Sequence, residues 1–306
     1  MKKRKTKHIS TIILLLVFFV GLSVMLYPTV SDFINSRHQQ TAILDYDKKL
    51  SSMEVSEKDI MLEKANEYNC QLLDVPDPLS AIEPVKGYNS ILDVTGTGIM
   101  GYISIPKIKT ELPIYHGTSD EVLNVAVGHV QGSSLPVGGI GTHAVISAHR
   151  GLPSAKLFSD LDMLEIGDTF LITVLDTVMK YSIDKITVVY PNELSNLRIE
   201  KDKDYVTLVT CTPYGINTQR LLVRGSRVEM DEEDSIRVEA DALRIEPMLV
   251  APAVAVPILA ILIGVFILGG FSRKRRRRKE LLKVLKYTEN NDENTVKKKK
   301  RKRRKR

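Results

Sequence analysis

Two uncharged apolar runs bracket this 306-residue chain and decide what the rest of it can be. The first, Ile9 to Tyr27, follows Lys2, Lys3, Arg4, Lys5 and Lys7; the second, Met248 to Phe271, is followed at once by the basic stretch Arg273–Lys279. Each is close to the roughly 20 residues that a helix needs to cross a bilayer. Lys and Arg next to a span resist translocation, so the flanks predict both termini in the cytoplasm and the intervening chain outside. Pro252 and Pro257 would be costly in a buried soluble helix, the other reading of the second run, and are better tolerated in a span. The first run has its own alternative, a cleaved signal peptide ending near Gly21-Leu22-Ser23. Both alternatives for the first run export the middle.

The two tails hold 24 of the 44 Lys and Arg residues but only 4 of the 37 acids, so the chain's net +7 hides a middle region of −13. The exported part has no basic surface suited to nucleic acid, and the basic tails, lying beside spans, suit anionic lipid. Two cysteines, Cys70 and Cys211, leave open a disulfide in an exported protein. The difference in their contexts argues instead for separate roles.

From Ser31 to Leu73, apolar residues recur at spacings of three and four without Gly or Pro, which predicts helix. Pro76, Pro78 and Pro84 predict an irregular segment from Gln71 to Gly87. From Asp93 the pattern becomes short Val/Ile/Thr/Tyr-rich runs between turn signals: Gly98–Ile105, Leu112–Tyr115, Ala144–Ala148, Thr169–Leu175, Lys180–Val189, Tyr205–Thr210 and Arg220–Val228. Such runs predict a mainly β barrel or sandwich. One helix is expected within Ser154–Leu164. The resulting organisation is a basic tail (1–8), a span (9–27), a helical pre-barrel region (28–92), a β domain (93–230), an acidic connector (231–247), a second span (248–271) and a basic tail (272–306).

Three strand ends carry the chemistry. Tyr205–Cys211 is an apolar β run ending on a cysteine, a position that holds a nucleophile rigidly yet lets it face a cleft. Thr142–His149 ends on a histidine. A strand opens at Arg220, nine residues after Cys211, and a hairpin-like return would set the two side by side. Singly, each signal has an ordinary reading: a packed cysteine, a structural histidine, a solvated arginine. Zn²⁺ held by Cys211, His143 and His149 is a further reading, but closely spaced ligand pairs are lacking.

The blocks around these residues resemble the signatures of class C sortases. They are THAVISAHRGLP from Thr142 to Pro153 and TLVTCTPYGINTQRLLVRGSR from Thr207 to Arg227. GHVQGSSLPVGG (Gly128–Gly139) and LFSDLD (Leu157–Asp162), ahead of Gly167-Asp168, look like the same family. The resemblance, nearly continuous from Gly98 to Arg227, implies an eight-stranded sortase β-barrel with N-terminal helices, flanked by two transmembrane helices. It implies Cys211 as nucleophile, His149 as general acid/base and Arg220 as the oxyanion and substrate-binding cation, with His129 and His143 structural. It also implies a lid in the loop 71–87, with Asp77-Pro78-Leu79 at the place of the family's Asp-Pro-aromatic signature; Leu79 departs from that signature. No cofactor or metal is expected. The expected partners are pilin or surface proteins with LPXTG-like sorting signals, an acceptor pilin lysine and membrane lipid. The expected location is the cell membrane, with the catalytic domain extracellular. A sortase that attaches proteins to peptidoglycan, an exported cysteine hydrolase and a non-enzymatic membrane scaffold are the rival readings.

Overall fold

The computed structural model describes residues 3–81 and 84–230, with side chains from Leu15 onward. These lie in the first of two compact units, Met1–Val238. The expected connector, second span and C-terminal tail fall outside the described residues. So one expected span, not two, is met by a described helix: α1 (Lys3–Ser51) contains a segment from Leu15 that is long and apolar enough to cross a membrane, with its apolar window wholly unburied.

α1 continues past the apolar run as one helix and ends at Ser51; a short turn through Met53 leads to α2 (Val55–Leu72). The apolar spacing of Ser31–Leu73 thus resolves into two consecutive helices. Tyr46, Leu50, Ala65, Tyr68 and Leu72 are buried in the same core as the β domain. α2 takes the first two residues of the segment expected to be irregular. The other described residues of that segment are loop apart from a single 3₁₀ turn at Pro78–Ser80, and a second such turn follows it at Tyr88–Ser90.

Eight strands follow: β1 (Ile99–Ile105), β2 (Thr110–His116), β3 (Val127–His129), β4 (Thr142–Ser147), β5 (Thr169–Val174), β6 (Thr177–Val189), β7 (Asp204–Thr212) and β8 (Gln219–Val228). They close into a barrel in the order β1-β2-β3-β4-β7-β8-β6-β5. β2–β3 and β4–β7 are parallel pairs and the others antiparallel. Closure leaves no free sheet edge among the described strands. Alternation sorts the side chains: Val206 and Leu208 of β7, Ile172 of β5 and Ile183 of β6 enter the main core. β3 has only three residues, too few for a periodic signal, and is not among the strands expected from pattern. Gly101 of β1 is required by close approach, because a Cβ there would lie 2.2 Å from the Thr173 carbonyl oxygen of β5.

The helix expected within Ser154–Leu164 is absent; the segment forms turns and a single 3₁₀ turn at Leu161–Met163. Local bonds go elsewhere. Lys156 N–H donates to the Asp32 side chain, Phe158 N–H donates to His149 O, and Leu157 has a positive φ of 40° that a helix cannot hold.

Candidate active site

Register brings the three strand ends together. In the parallel β4–β7 pair Ser147 faces Val209, and just beyond it Ala148 N–H donates to Val209 O (3.1 Å). Thr210 Oγ1 donates back to Ala148 O (2.8 Å), so the chain just before His149 is tied to the chain just before Cys211. In the antiparallel β7–β8 pair Cys211 is the direct partner of Arg220. Cysteine, histidine and arginine thus stand at adjacent ends of β4, β7 and β8 on one barrel rim, and all three are half-buried. The hairpin return expected from the nine-residue spacing is the one observed.

Thr210 points inward, while Cys211 shares the outward phase of Thr207 and Val209. On that outer face lies a second apolar cluster, Val145, Val189, Leu197, Val209 and Leu222, partly covered by Leu79, Val130 and Leu194. A thiol at the head of a half-covered apolar face can meet an extended peptide and remain shielded from bulk water. Both cysteines are free thiols, Cys70 being exposed on α2.

Arg220 is positioned by backbone. Its Nη1 donates to the carbonyl oxygens of Asn217 (3.3 Å) and Gln219 (3.1 Å). Among the described residues no carboxylate pairs with it, so the guanidinium is oriented without being neutralised. Its remaining N–H groups are suited to a developing oxyanion.

The other strand histidines are used up elsewhere. His143 Nδ1 contacts Arg198 O (2.9 Å) and its Nε2 the Thr207 hydroxyl (2.7 Å), and burial lowers its pKa. With both nitrogens engaged, His143 cannot join Cys211 and His149 on a metal. His129 is fully buried between the Tyr88 hydroxyl (2.9 Å) and Ser134 O (2.8 Å), and burial lowers its pKa to about 4.

One group carries no signal of its own in the sequence. Arg150 joins the loop after the histidine to the loop after the cysteine. Its Nη2 ion-pairs with Asp162, its Nη1 reaches Thr212 Oγ1 (3.4 Å) and its guanidinium lies 5.7 Å from the Tyr214 ring centroid. Arg150 lies in HRG and two of its three partners, Thr212 and Tyr214, in CTPYG, but only tertiary structure shows that they touch.

Of the residues expected to form a lid, Leu79 packs on the outer apolar cluster. The backbone fits tightly there: a Cβ on Gly132 would sit 2.2 Å from Pro78 O and 3.1 Å from Leu79 Cα. Asp77 is exposed and makes no ion pair among the described residues.

A sortase-domain family profile matches residues 103–228, the barrel from β1 through β8. The sortase D of Bacillus subtilis is 31% identical over 131 residues, covering 42% of this chain and 63% of that protein. The sortase A of Bacillus anthracis is 28% identical over 130 residues, covering 42% and 60%. The chain thus spans less than two thirds of these curated relatives. Solved structures match more fully. Sortase C1 of Streptococcus agalactiae is 48% identical with a TM-score of 0.60, covering 62% of this chain and 100% of that one. Sortase C-1 of Streptococcus pneumoniae is 42% identical with a TM-score of 0.56, again covering 62% and 100%. A closed eight-stranded barrel, a strand-end cysteine paired with an arginine, and likeness to two sortase C structures over the whole of those solved chains lead to one conclusion: the chain belongs to the sortase family, in its class C branch.

Proposed function

We propose that this chain is a membrane-anchored cysteine transpeptidase that joins pilin subunits through lysine isopeptide bonds. The observation that carries the reading is the pairing of Cys211 with an un-neutralised Arg220 beside the histidine-bearing end of β4. The Cys211 thiolate attacks the Thr–Gly carbonyl carbon of an LPXTG-like signal, and the oxyanion forms against Arg220. One such donor typically contributes about 3 kcal/mol. As the C–N bond breaks, His149 gives its proton to the departing glycine amine. A thioester remains. A lysine amine then attacks it and loses its proton to His149; the C–S bond breaks and the thiolate is restored. Leu79, seated on the apolar face below Cys211, acts as a lid residue that a substrate must displace, and Asp77 and Pro78 set its turn.

Intact-mass spectrometry of the full chain in detergent, incubated with an LPXTG peptide, tests the first half. A mass gain equal to the acyl fragment is expected, absent in Cys211→Ala; no adduct would move weight to a scaffold. The sortase C of Streptococcus pneumoniae is described in terms of pilin substrate specificity, which supports a pilin over a cell-wall acceptor here. Incubation with a pilin separates the two: a ladder of covalent oligomers supports polymerisation, and transfer only to a cell-wall stem peptide supports anchoring. Released cleaved product alone would indicate hydrolysis.

A further inference from the structure

The contacts of α1 with the barrel are ordered along the helix. Asp32 Oδ1 accepts from Lys156 N–H (2.6 Å) and Asn35 Nδ2 donates to Ser154 O (2.7 Å). Gln39 Nε2 donates to Val125 O (2.6 Å). Tyr46 OH accepts from Leu175 N–H (2.8 Å) and donates to Met100 O (3.1 Å). α1 is unbroken from its apolar segment through all of these. At about 1.5 Å per residue, Asp32 lies only about 8 Å along the axis from Tyr27, whereas Tyr46 lies about 28 Å away.

The partners of Asp32 and Asn35 belong to the loop that leaves His149, whose own carbonyl binds Phe158 N–H. The partners of Tyr46 are at the other rim, at the start of β1 and the end of β5. Strand directions agree: His149, Cys211 and Arg220 lie toward the Asp32 end, and the β5–β6 turn toward the Tyr46 end. Lys156 Nζ also binds Ile108 O, bringing the β1–β2 turn to the same end.

The surface at that end suits a lipid headgroup layer. Met163 and Ile166 project there, 61% and 70% exposed. The four carboxylates around them are all paired: Asp160 with Lys156, Asp162 with Arg150, and Glu165 and Asp168 with Lys107. Three cations meet the four carboxylates, so pairing cuts to one net charge the repulsion that bare acids would meet at an anionic surface.

We propose that the catalytic rim faces the bilayer, with the 154–168 loop and the β1–β2 turn resting on the lipid surface and Met163 and Ile166 entering it. α1 is the strut that fixes this orientation. The proposal rests on α1 entering the membrane.

The test uses the full chain in phosphatidylcholine–phosphatidylglycerol vesicles, in a Cys70→Ser, Cys211→Ala background. Met163→Cys, Ile166→Cys and the opposite-rim control Ile140→Cys, 76% exposed, each carry an environment-sensitive fluorophore. Headgroup-spin-labelled lipid is expected to quench positions 163 and 166 about twofold, as for side chains at the headgroup boundary, and to leave 140 unchanged. Flotation of the same samples reports anchoring separately. Chain that floats with 163 and 166 unquenched, or with 140 quenched equally, overturns the orientation and leaves the anchor intact. Chain that does not float overturns both.

Discussion

At the scale of single residues, the site depends on charge that is aimed and left unspent. Arg220 is held by two backbone carbonyls and opposes Cys211 directly across the β7–β8 ladder. Lysine would keep the charge but lose the planar fork, whose Nη1 holds both carbonyls and whose fixed geometry aims Nη2 at the proposed oxyanion. Arg220→Lys is therefore expected to lower kcat/KM for an LPXTG peptide by about 10- to 100-fold, corresponding to about 1.4 to 2.7 kcal/mol of transition-state stabilisation. The melting temperature should stay within a degree or two, since the side chain fills no core position. Steady-state kinetics with thermal melts on the same sample checks this, and an equal loss of stability would reassign Arg220 to structure. The pairing of Cys211 with Arg220 was legible in sequence because a hairpin-like return sets the two side by side, whereas their roles follow from the resemblance of the surrounding blocks. Arg150 was not, because its partners Asp162, Thr212 and Tyr214 are scattered along the chain and meet only in the folded rim.

At the scale of elements, strands with five or more residues announced themselves by composition, whereas β3 and the 154–164 segment did not. β3 is too short for alternation, and the apolar residues of 154–164 serve burial without periodic bonding, N–H groups there being taken by Asp32 and His149. The proposed lid is a similar case: its proline-rich sequence announced a loop, but its seat depends on Gly132, whose missing Cβ admits Pro78 O. Gly132→Ala is expected to lift the Pro78–Ser80 turn, since the obstacle is backbone and cannot rotate away. Leu79→Ala should loosen the same turn by removing its contact with the apolar cluster. Burying a leucine side chain stabilises by roughly 1.5–3 kcal/mol, and about half of that applies to a partly buried one. Each variant should raise the rate of Cys211 alkylation by about 3- to 10-fold if closure is worth about 1 kcal/mol. Alkylation in a Cys70→Ser background, followed by mass, measures it. Unchanged rates in both variants would remove the lid from the mechanism.

At the scale of the whole molecule, the pre-barrel helices and the barrel share one core, and His129 is the polar bolt between them. The Tyr88 hydroxyl donates to His129, accepts from Gly117 N–H and comes from the segment that links α2 to β1. On the other side His129 meets Ser133 and Ser134, next to the Gly132 that seats the lid turn. Burial, which strips an imidazolium of its hydration, pushes the His129 pKa down to about 4, and nearby His116 acts in the same direction. Above the ordinary value of 6.5 the ring is neutral in both folded and unfolded chains, so stability does not depend on it. Between 6.5 and about 4 the unfolded chain takes up a proton that the folded chain refuses, and stability falls as pH falls. His143, lowered by burial as well, adds a loss of the same sign. Together they should cost a few kcal/mol on acidification, since each tenfold difference in proton affinity between the folded and unfolded chain corresponds to about 1.4 kcal/mol. Calorimetric melts from pH 7.5 to 4.5 are expected to show a falling melting temperature. The slope should be shallower in His129→Gln, whose amide can still donate to Ser134 O but cannot take a proton. An equal slope in that variant would place the acid sensitivity elsewhere. A shallower one would make this histidine the group through which acid loosens the pre-barrel from the barrel, and with it the support of the lid.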